Sequence, residues 1–408
     1  MNRKTFVSLV LILGSLTALG PFSIDMYLPG FPAIAKSLNT TVSHVSLSLA
    51  SYFIGISAGQ LLYGPLLDRF GRKPPLFIGL GVYILASIGC SFAAGIDQLV
   101  ALRFIQAIGS CAAAVASIAM VRDLFPVEEN AKVFALLFLV VGASPMIAPA
   151  VGSYVTAAWG WSSVFWVLGG MGLVLLLVCV YFLPDSYKPD TTLSLKPGPI
   201  ISSFLSVIRE PQFYTYALAG SFAFSGLFAY VAGSPLLFMK VFGLSEKMYG
   251  WLFAGLSVGF IGSNQLNTLV LRKYRSEQIV PVALACQAIT SVIFVLGVYN
   301  GWFGLGATLF LLFIFLSCLG FTNPNTSALS LAPFTRNAGT ASALMGAMQL
   351  GIGTLASVGI SLFDEKAGAL PMVGIMAFSS IAALVLLLVG RRNIGQLATG
   401  SGAGMMAH

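Results

Sequence analysis

Apolar runs long enough to enter a bilayer recur along the whole chain, each closed by a charge, a proline or a glycine-rich break. They predict twelve helices, at 5–36, 43–67, 74–95, 97–124, 128–157, 161–183, 212–235, 246–270, 277–299, 301–329, 337–363 and 370–391. One carboxylate interrupts the first of them. Asp25 lies inside Ala18 to Pro32, after an uncharged stretch from Phe6 to Phe22, and Phe31, Ile34 and Ala35 keep a helical apolar spacing beyond Pro29 and Pro32. The expectation is a kinked helix that continues to Lys36 and holds Asp25 at depth, where an ionisable group is costly and functional. A shorter helix ending at Leu28 would instead leave Asp25 at the outer edge. Met1 to Gly20 has the outline of a signal peptide, but no small-residue cleavage pattern follows it, so it is read as part of the first span.

Composition agrees with the pattern. Of 408 residues 57% are hydrophobic and only 8% charged, which excludes a soluble domain and makes the fold class all-α, membrane-spanning. The net charge of +8 is spread singly between spans, with no basic face and no aromatic-basic cluster, so no nucleic-acid partner is expected. The lysines and arginines instead set topology. With the N-terminus inside, the cytoplasmic side collects Arg3, Lys4, Arg69, Arg72, Lys73, Arg122, Arg272, Lys273, Arg391 and Arg392 among others, and the outer side only Lys36, Lys240, Lys247 and Lys366. Both termini are thereby expected in the cytoplasm. Arg103 is left over, inside the fourth span. Cys90, Cys111, Cys179, Cys286 and Cys318 all fall within spans without metal or redox spacing and are expected as reduced core residues, and no metal site is expected.

Asp185 to Gln212 is the longest polar segment, with four prolines, and it falls near the middle of the chain. It divides the sequence into a six-helix half at 1–184, a cytoplasmic linker at 185–211, a second six-helix half at 212–391 and a tail at 392–408. Arg72-Lys73 follows span two as Arg272-Lys273-Tyr274-Arg275 follows span eight, so the halves look like a repeat whose second copy is degenerate. Two parallel halves around a central site are the layout of a rocking transporter.

The hairpin after span two reads Gly64-Pro65-Leu66-Leu67-Asp68-Arg69-Phe70-Gly71-Arg72-Lys73, with glycines for a tight turn and opposite charges at the membrane surface. A plain basic loop needs neither that Asp nor those glycines. The stretch resembles the signature of the major facilitator superfamily. Arg103-Phe104-Ile105-Gln106 resembles the family's fourth-span motif, with Ala107 where glycine is usual, and the resemblance implies that Asp123 pairs with Arg72. Gly64, Asp68, Arg69, Gly71, Arg72 and Asp123 are accordingly the expected cytoplasmic gate. Span five carries Gly142, Pro145, Pro149 and Gly152, similar to the glycine and proline motif of the superfamily's antiporters and expected as a hinge, although membrane helices also use glycine simply for packing. Ile24 to Pro29, Asn323-Pro324-Asn325, and Gly339 to Leu344 followed by Gln349 resemble drug:proton antiporters of the bicyclomycin and chloramphenicol resistance group.

The function this implies is export of small organic molecules in exchange for protons from a bacterial cytoplasmic membrane, by a monomer, with no cofactor beyond the coupling proton. A facilitator or a proton-coupled metabolite transporter on the same fold stays open. An enzyme or sensor would require a catalytic cluster or soluble domain that the sequence lacks, and the absence of a Walker motif argues against an ATP-driven pump. Asp25 and Arg103 are the expected coupling pair: Asp25 lies twenty residues beyond Thr5 and Arg103 twenty before Asp123, which puts both about 30 Å above the cytoplasmic surface. Tyr27, Gln106, Phe228, Asn323, Met345 and Gln349 are the expected substrate contacts. With one acid offset by Arg103, the substrates are expected to be neutral or weakly polar rather than dicationic.

Overall fold

A computed structural model describes residues 3–125, 127–185, 197–334 and 338–394. Most of the linker before Pro197, Arg336, the tail from Gly395, and the side chains of Arg3, Lys4, Asp68 and Arg122 lie outside the described residues. The helices are α1 (Arg3–Asp25), α2 (Phe31–Ser37), α3 (Val42–Phe70), α4 (Lys73–Ser91), α5 (Ile96–Leu124), α6 (Val127–Trp159), α7 (Ser162–Phe182), α8 (Pro197–Ile208), α9 (Pro211–Pro235), α10 (Glu246–Val270), α11 (Ser276–Tyr299), α12 (Leu305–Leu331), α13 (Ala338–Ser361) and α14 (Leu370–Gly390). Short 3₁₀ and π turns join or extend several of them, and no strand occurs among the described residues. Among the described residues ten segments, one of them formed by α1 and α2 together, are long and apolar enough to cross a membrane. The 33-residue α6 and the 25-residue α10 are long enough as well, and α10 carries Ser263, Asn264, Gln265 and Asn267 in its final turns.

Polarity is arranged inside out, as a lipid solvent requires. Ile78 and Leu85 of α4, Phe92 just beyond it, and Val282 and Ile289 of α11 are exposed, while Arg103, Gln106, Ser87, Gln287 and Ser291 are buried. The chain divides into two compact units, Met1–Leu195 with Phe238–Ala254, and Lys196–Leu237 with Gly255–His408. Residues 238–254, the turn after α9 and the start of α10, fall in the first unit. Phe238 buries its ring there against Tyr249, 6.2 Å between centroids, and Tyr249 against Phe253 at 5.9 Å.

In the first unit α5 packs on α3 and α4, and α1 packs on α5 and α6. Ala107, at the place where glycine was expected, is fully buried against Gly55 of α3, so the missing hydrogen is supplied from the opposite helix. In the second unit α9 lies against α12, α13 and α14, over a core that includes Tyr216, Leu284, Leu319 and Leu387. The linker is not wholly extended, since α8 occupies Pro197–Ile208 and buries Val207 beside Phe213. Cys90, Cys111, Cys179 and Cys318 are buried as expected, but Cys286 is exposed. Its position on α11 turns it outward, a helical phase that composition does not reveal.

Candidate functional site

The first span breaks at its acid. Instead of kinking and continuing, α1 ends on Asp25, Met26 and Tyr27 form a turn, Leu28–Gly30 is a 3₁₀ turn, and α2 begins at Phe31. Pro29 and Pro32 explain this, because each lacks the N–H that would bond the carbonyl four residues earlier, Asp25 and Leu28 respectively. The turn is closed by Gly30 N–H donating to the Tyr27 carbonyl at 3.1 Å and by Phe31 N–H donating to that of Leu28. From α6, Gly152 packs on the break so closely that a Cβ there would overlap the backbone carbonyl of Met26. Thr156 of α6 and Trp161 stand beside Gly30.

Asp25 is 6% exposed and has no hydrogen-bond or ion-pair partner among the described residues. Arg103, fully buried on α5, comes to the same level but not to the carboxylate. Its Nη2 donates to the backbone carbonyl of Ser23 at 3.1 Å and its Nη1 donates to Gln106 Oε1 at 2.6 Å. Aromatic faces supply the rest of its environment: the guanidinium carbon lies 4.1 Å from the Tyr52 ring centre, 4.6 Å from that of Tyr27 and 5.8 Å from that of Phe165. The electron-rich ring faces partly compensate a cation that has been removed from water. Arg103 Nε has no hydrogen-bond acceptor among the described residues.

A buried chain of hydroxyls and one amide fixes this cage. Tyr27 and Ser48 share a hydrogen bond of 2.7 Å, Tyr52 and Ser110 one of 2.8 Å, and Ser23 and Tyr83 one of 2.7 Å. Gln106 Nε2 donates to Ser87 Oγ at 2.7 Å, so both ends of its amide are engaged. Gln106 and Tyr27, expected as substrate contacts, are thus packed supports of Arg103 in this structure, 0% and 1% exposed. Sequence reading missed Tyr52 and Phe165; the spacing of Ser48 and Tyr52, one helical turn apart within span two, was the available signal.

At the other end of the same helices Arg72 Nε donates to Asp123 Oδ2 at 2.7 Å, and Arg72 Nη2 to Oδ1 at 3.4 Å. The two side chains are only 9% and 14% exposed, so the pair is shielded from water and from salt. Gly71, at φ +85°, makes the turn that presents Arg72, and Arg69 stacks on Phe70 at 5.7 Å. Gly64 lies within α3, one turn before Asp68, whose side chain is outside those described. Loss of the ion pair in Asp123→Asn is expected to slow transport about tenfold, the effect of one partly buried charge-assisted bond, with the amount of folded protein unchanged. Transport rate per folded molecule in membrane vesicles checks this, and a wild-type rate would contradict it.

The second unit has a tie between helices that carries no charge. Asn325 Nδ2 donates to Asn267 Oδ1 at 2.7 Å, and Ser276 Oγ donates to Asn325 Oδ1 at 2.7 Å, joining α10, α11 and α12. Elsewhere in that unit Gln349 Nε2 donates to Asn323 Oδ1 at 3.1 Å, and Ser330 Oγ donates to the Met345 sulfur at 3.1 Å. Asn323, Met345 and Gln349 are half-buried, and Phe228 is buried over Gly353. Gly142, Pro145, Pro149 and Gly152 all lie within the unbroken α6. Among the described residues no group of His, Cys, Asp and Glu is placed to hold a metal ion.

Comparison with known proteins places these features in context. A family model described as the Major Facilitator Superfamily matches residues 13–358. An uncharacterised MFS-type transporter of Bacillus subtilis, YdgK, is 31% identical over 397 residues, covering 96% of this chain and 98% of that protein. A bicyclomycin resistance protein homolog of Haemophilus influenzae is 31% identical, covering 87% and 88%, and a chloramphenicol resistance protein of Pseudomonas aeruginosa is 29% identical, covering 86% and 84%. Among solved structures, a bacterial homolog of the human lysosomal transporter Spinster superposes with a TM-score of 0.75 at 14% identity, covering 96% of each chain. A D-xylose-proton symporter does so with a TM-score of 0.73 at 17% identity, covering 96% of this chain and 98% of its own. At those identities the structural likeness concerns the fold alone.

Proposed function

Because the chain belongs to the major facilitator superfamily, we propose that it exports small neutral or weakly polar organic molecules in exchange for protons, by alternating access. The observation that carries this reading is Asp25, a buried carboxylate without a counter-ion among the described residues at the break of a membrane span, with a guanidinium held on aromatic faces and bonded to the carbonyl of Ser23, two residues earlier. Protonation removes the cost of an isolated buried carboxylate, and approach of Arg103 removes the need for the proton. Asp25 takes up a proton where its surroundings open to the outside. It gives the proton up on the inside, where Arg103 or substrate approaches, so export is tied to proton influx.

The resistance proteins among the relatives support phenicol-like and bicyclic compounds as the substrate class. One acid beside one arginine leaves little net negative charge to hold a dication. The distribution of Lys and Arg supports a bacterial cytoplasmic membrane protein with both termini inside, Arg72 and Asp123 closing the cytoplasmic side. The test is proton release from purified protein in detergent. Chloramphenicol is expected to release protons at a pH where Asp25 is protonated, and a bis-quaternary ammonium compound is not. Transport of chloramphenicol with no release would mark a facilitator and overturn coupled exchange.

A further inference from the structure

Basic residues that the sequence spreads over separate segments meet at one end of the second unit. Glu277 stands four residues before Pro281 of α11, and because proline has no N–H the Glu277 carbonyl lacks its usual helical donor. Arg391, directly after α14, supplies one. Its Nη2 donates to that carbonyl, and its Nε donates to Tyr216 Oη at 3.3 Å, which fixes the end of α14 to the start of α11, the helix it packs against.

That bond gathers charge. Arg275 precedes Glu277 by two residues, Arg392 follows Arg391 by one, and both are exposed, as are Arg272 and Lys273 in the turn that leads into α11. Across 271–277 and 390–394 the sequence has five basic residues against one acid, Glu277, so this end is positive. Arg272, Lys273, Arg275 and Arg392 form no ion pair among the described residues. Like charges held together repel, and an anion placed between them relieves the repulsion.

The neighbouring surface is apolar. Leu388 and Val389 in the last turn of α14, and Val282 in the second turn of α11, are exposed, as positions that face lipid are. Tyr274 is 48% exposed, with Lys273 Nζ 5.6 Å from its ring centre, an aromatic of the kind that sits at headgroup level. A soluble anion would use the guanidinium groups alone. A phospholipid uses those groups and the apolar seam together.

We propose that the mouth of the seam between α11 and α14 binds the phosphodiester headgroup of an anionic phospholipid. Arg275 and Arg392 donate to its phosphate oxygens, Arg272 and Lys273 add positive charge, and the acyl chains lie along Val282, Leu388 and Val389. The guanidinium fork matches phosphate with paired N–H···O bonds, and a basic pocket between membrane helices suits such a headgroup. Neither substrate nor transport direction enters, so the assignment stands apart from the export reading.

The experiment adds cardiolipin or phosphatidylcholine to the purified full-length protein in a neutral detergent and counts bound lipid by native mass spectrometry. The wild type is expected to bind its first cardiolipin at least about tenfold more tightly than phosphatidylcholine, which has the same kind of chains and no net charge. Arg275→Gln/Arg392→Gln is expected to weaken cardiolipin binding about thirtyfold, the effect of two basic residues beside a charged headgroup, with the melting temperature in detergent alone unchanged. Lys36→Gln/Lys366→Gln, which loses the same charge from exposed positions elsewhere, is expected to bind cardiolipin as the wild type does. Millimolar inorganic phosphate is expected to leave the lipid in place; displacement by it would assign the site to a soluble anion and overturn the lipid reading. Equal binding of the two lipids by the wild type, or equal cardiolipin binding by the two double variants, would overturn the assignment as well.

Discussion

Gly152→Val is expected to reduce export to background and to lower the thermal stability of the protein, with Gly152→Ala intermediate. The reason lies in what faces Gly152. A Cβ at this position meets the carbonyl, carbonyl carbon and Cα of Met26, all backbone atoms, so no side chain can swing aside to make room. Overpacking of this kind costs about 1–3 kcal/mol in an ordinary core, and here it displaces the residue that follows Asp25. A displacement of the turn also disturbs Ser23 and Tyr27, through which Arg103 is held. Transport rate and melting temperature, read on the same purified variants, check the expectation. A valine variant that transports at the wild-type rate would show that the contact between α6 and the break is incidental.

The same contact adds a packing role to the span-five motif: Gly142, Pro145, Pro149 and Gly152 are expected as a hinge, and in this structure α6 runs unbroken through both inner prolines while Gly152 admits the backbone of another span. Which helix a glycine admits is a tertiary fact that its sequence neighbourhood does not carry.

The spans themselves were legible because each is an uninterrupted apolar run with polar ends, and the helices fall within a few residues of the expected bounds. Asp25 was legible as a single acid in such a run, and Arg72 with Asp123 as opposite charges at neighbouring helix ends. The partner of Arg103 was not. Opposite formal charge is the one compensation that a sequence displays, and it singles out Asp25; the structure supplies Tyr52, Tyr27 and a carbonyl of Ser23 instead. Ring faces and backbone carbonyls bear no mark in the sequence. The same holds for Asn267, in the segment that looked like a degenerate repeat, and for Ser276, neutral residues that both bond Asn325. Proline spacing, by contrast, carried more than was drawn from it, since Pro29 and Pro32 together leave two carbonyls without helical donors and break the span rather than bend it.

Asp25→Asn is expected to abolish uphill export while preserving folding and substrate binding. The asparagine side chain nearly matches the aspartic acid in shape, remains neutral, and cannot exchange a proton. Since Asp25 makes no ion pair or hydrogen bond among the described residues, its loss removes no structural bond, and thermal stability is expected to be unchanged or raised. A purely structural role for the acid would show the opposite pattern, with stability falling and coupling intact. Passive equilibration of substrate down its own gradient is expected to persist in the variant.

The most direct measurement is chloramphenicol transport in proteoliposomes carrying an imposed pH gradient, wild type and Asp25→Asn side by side. The wild type is expected to move substrate against its concentration gradient while protons flow the other way, and the variant to reach only equal concentrations on the two sides. Gradient-driven accumulation by Asp25→Asn at the wild-type level would contradict the assignment of Asp25 as the coupling group.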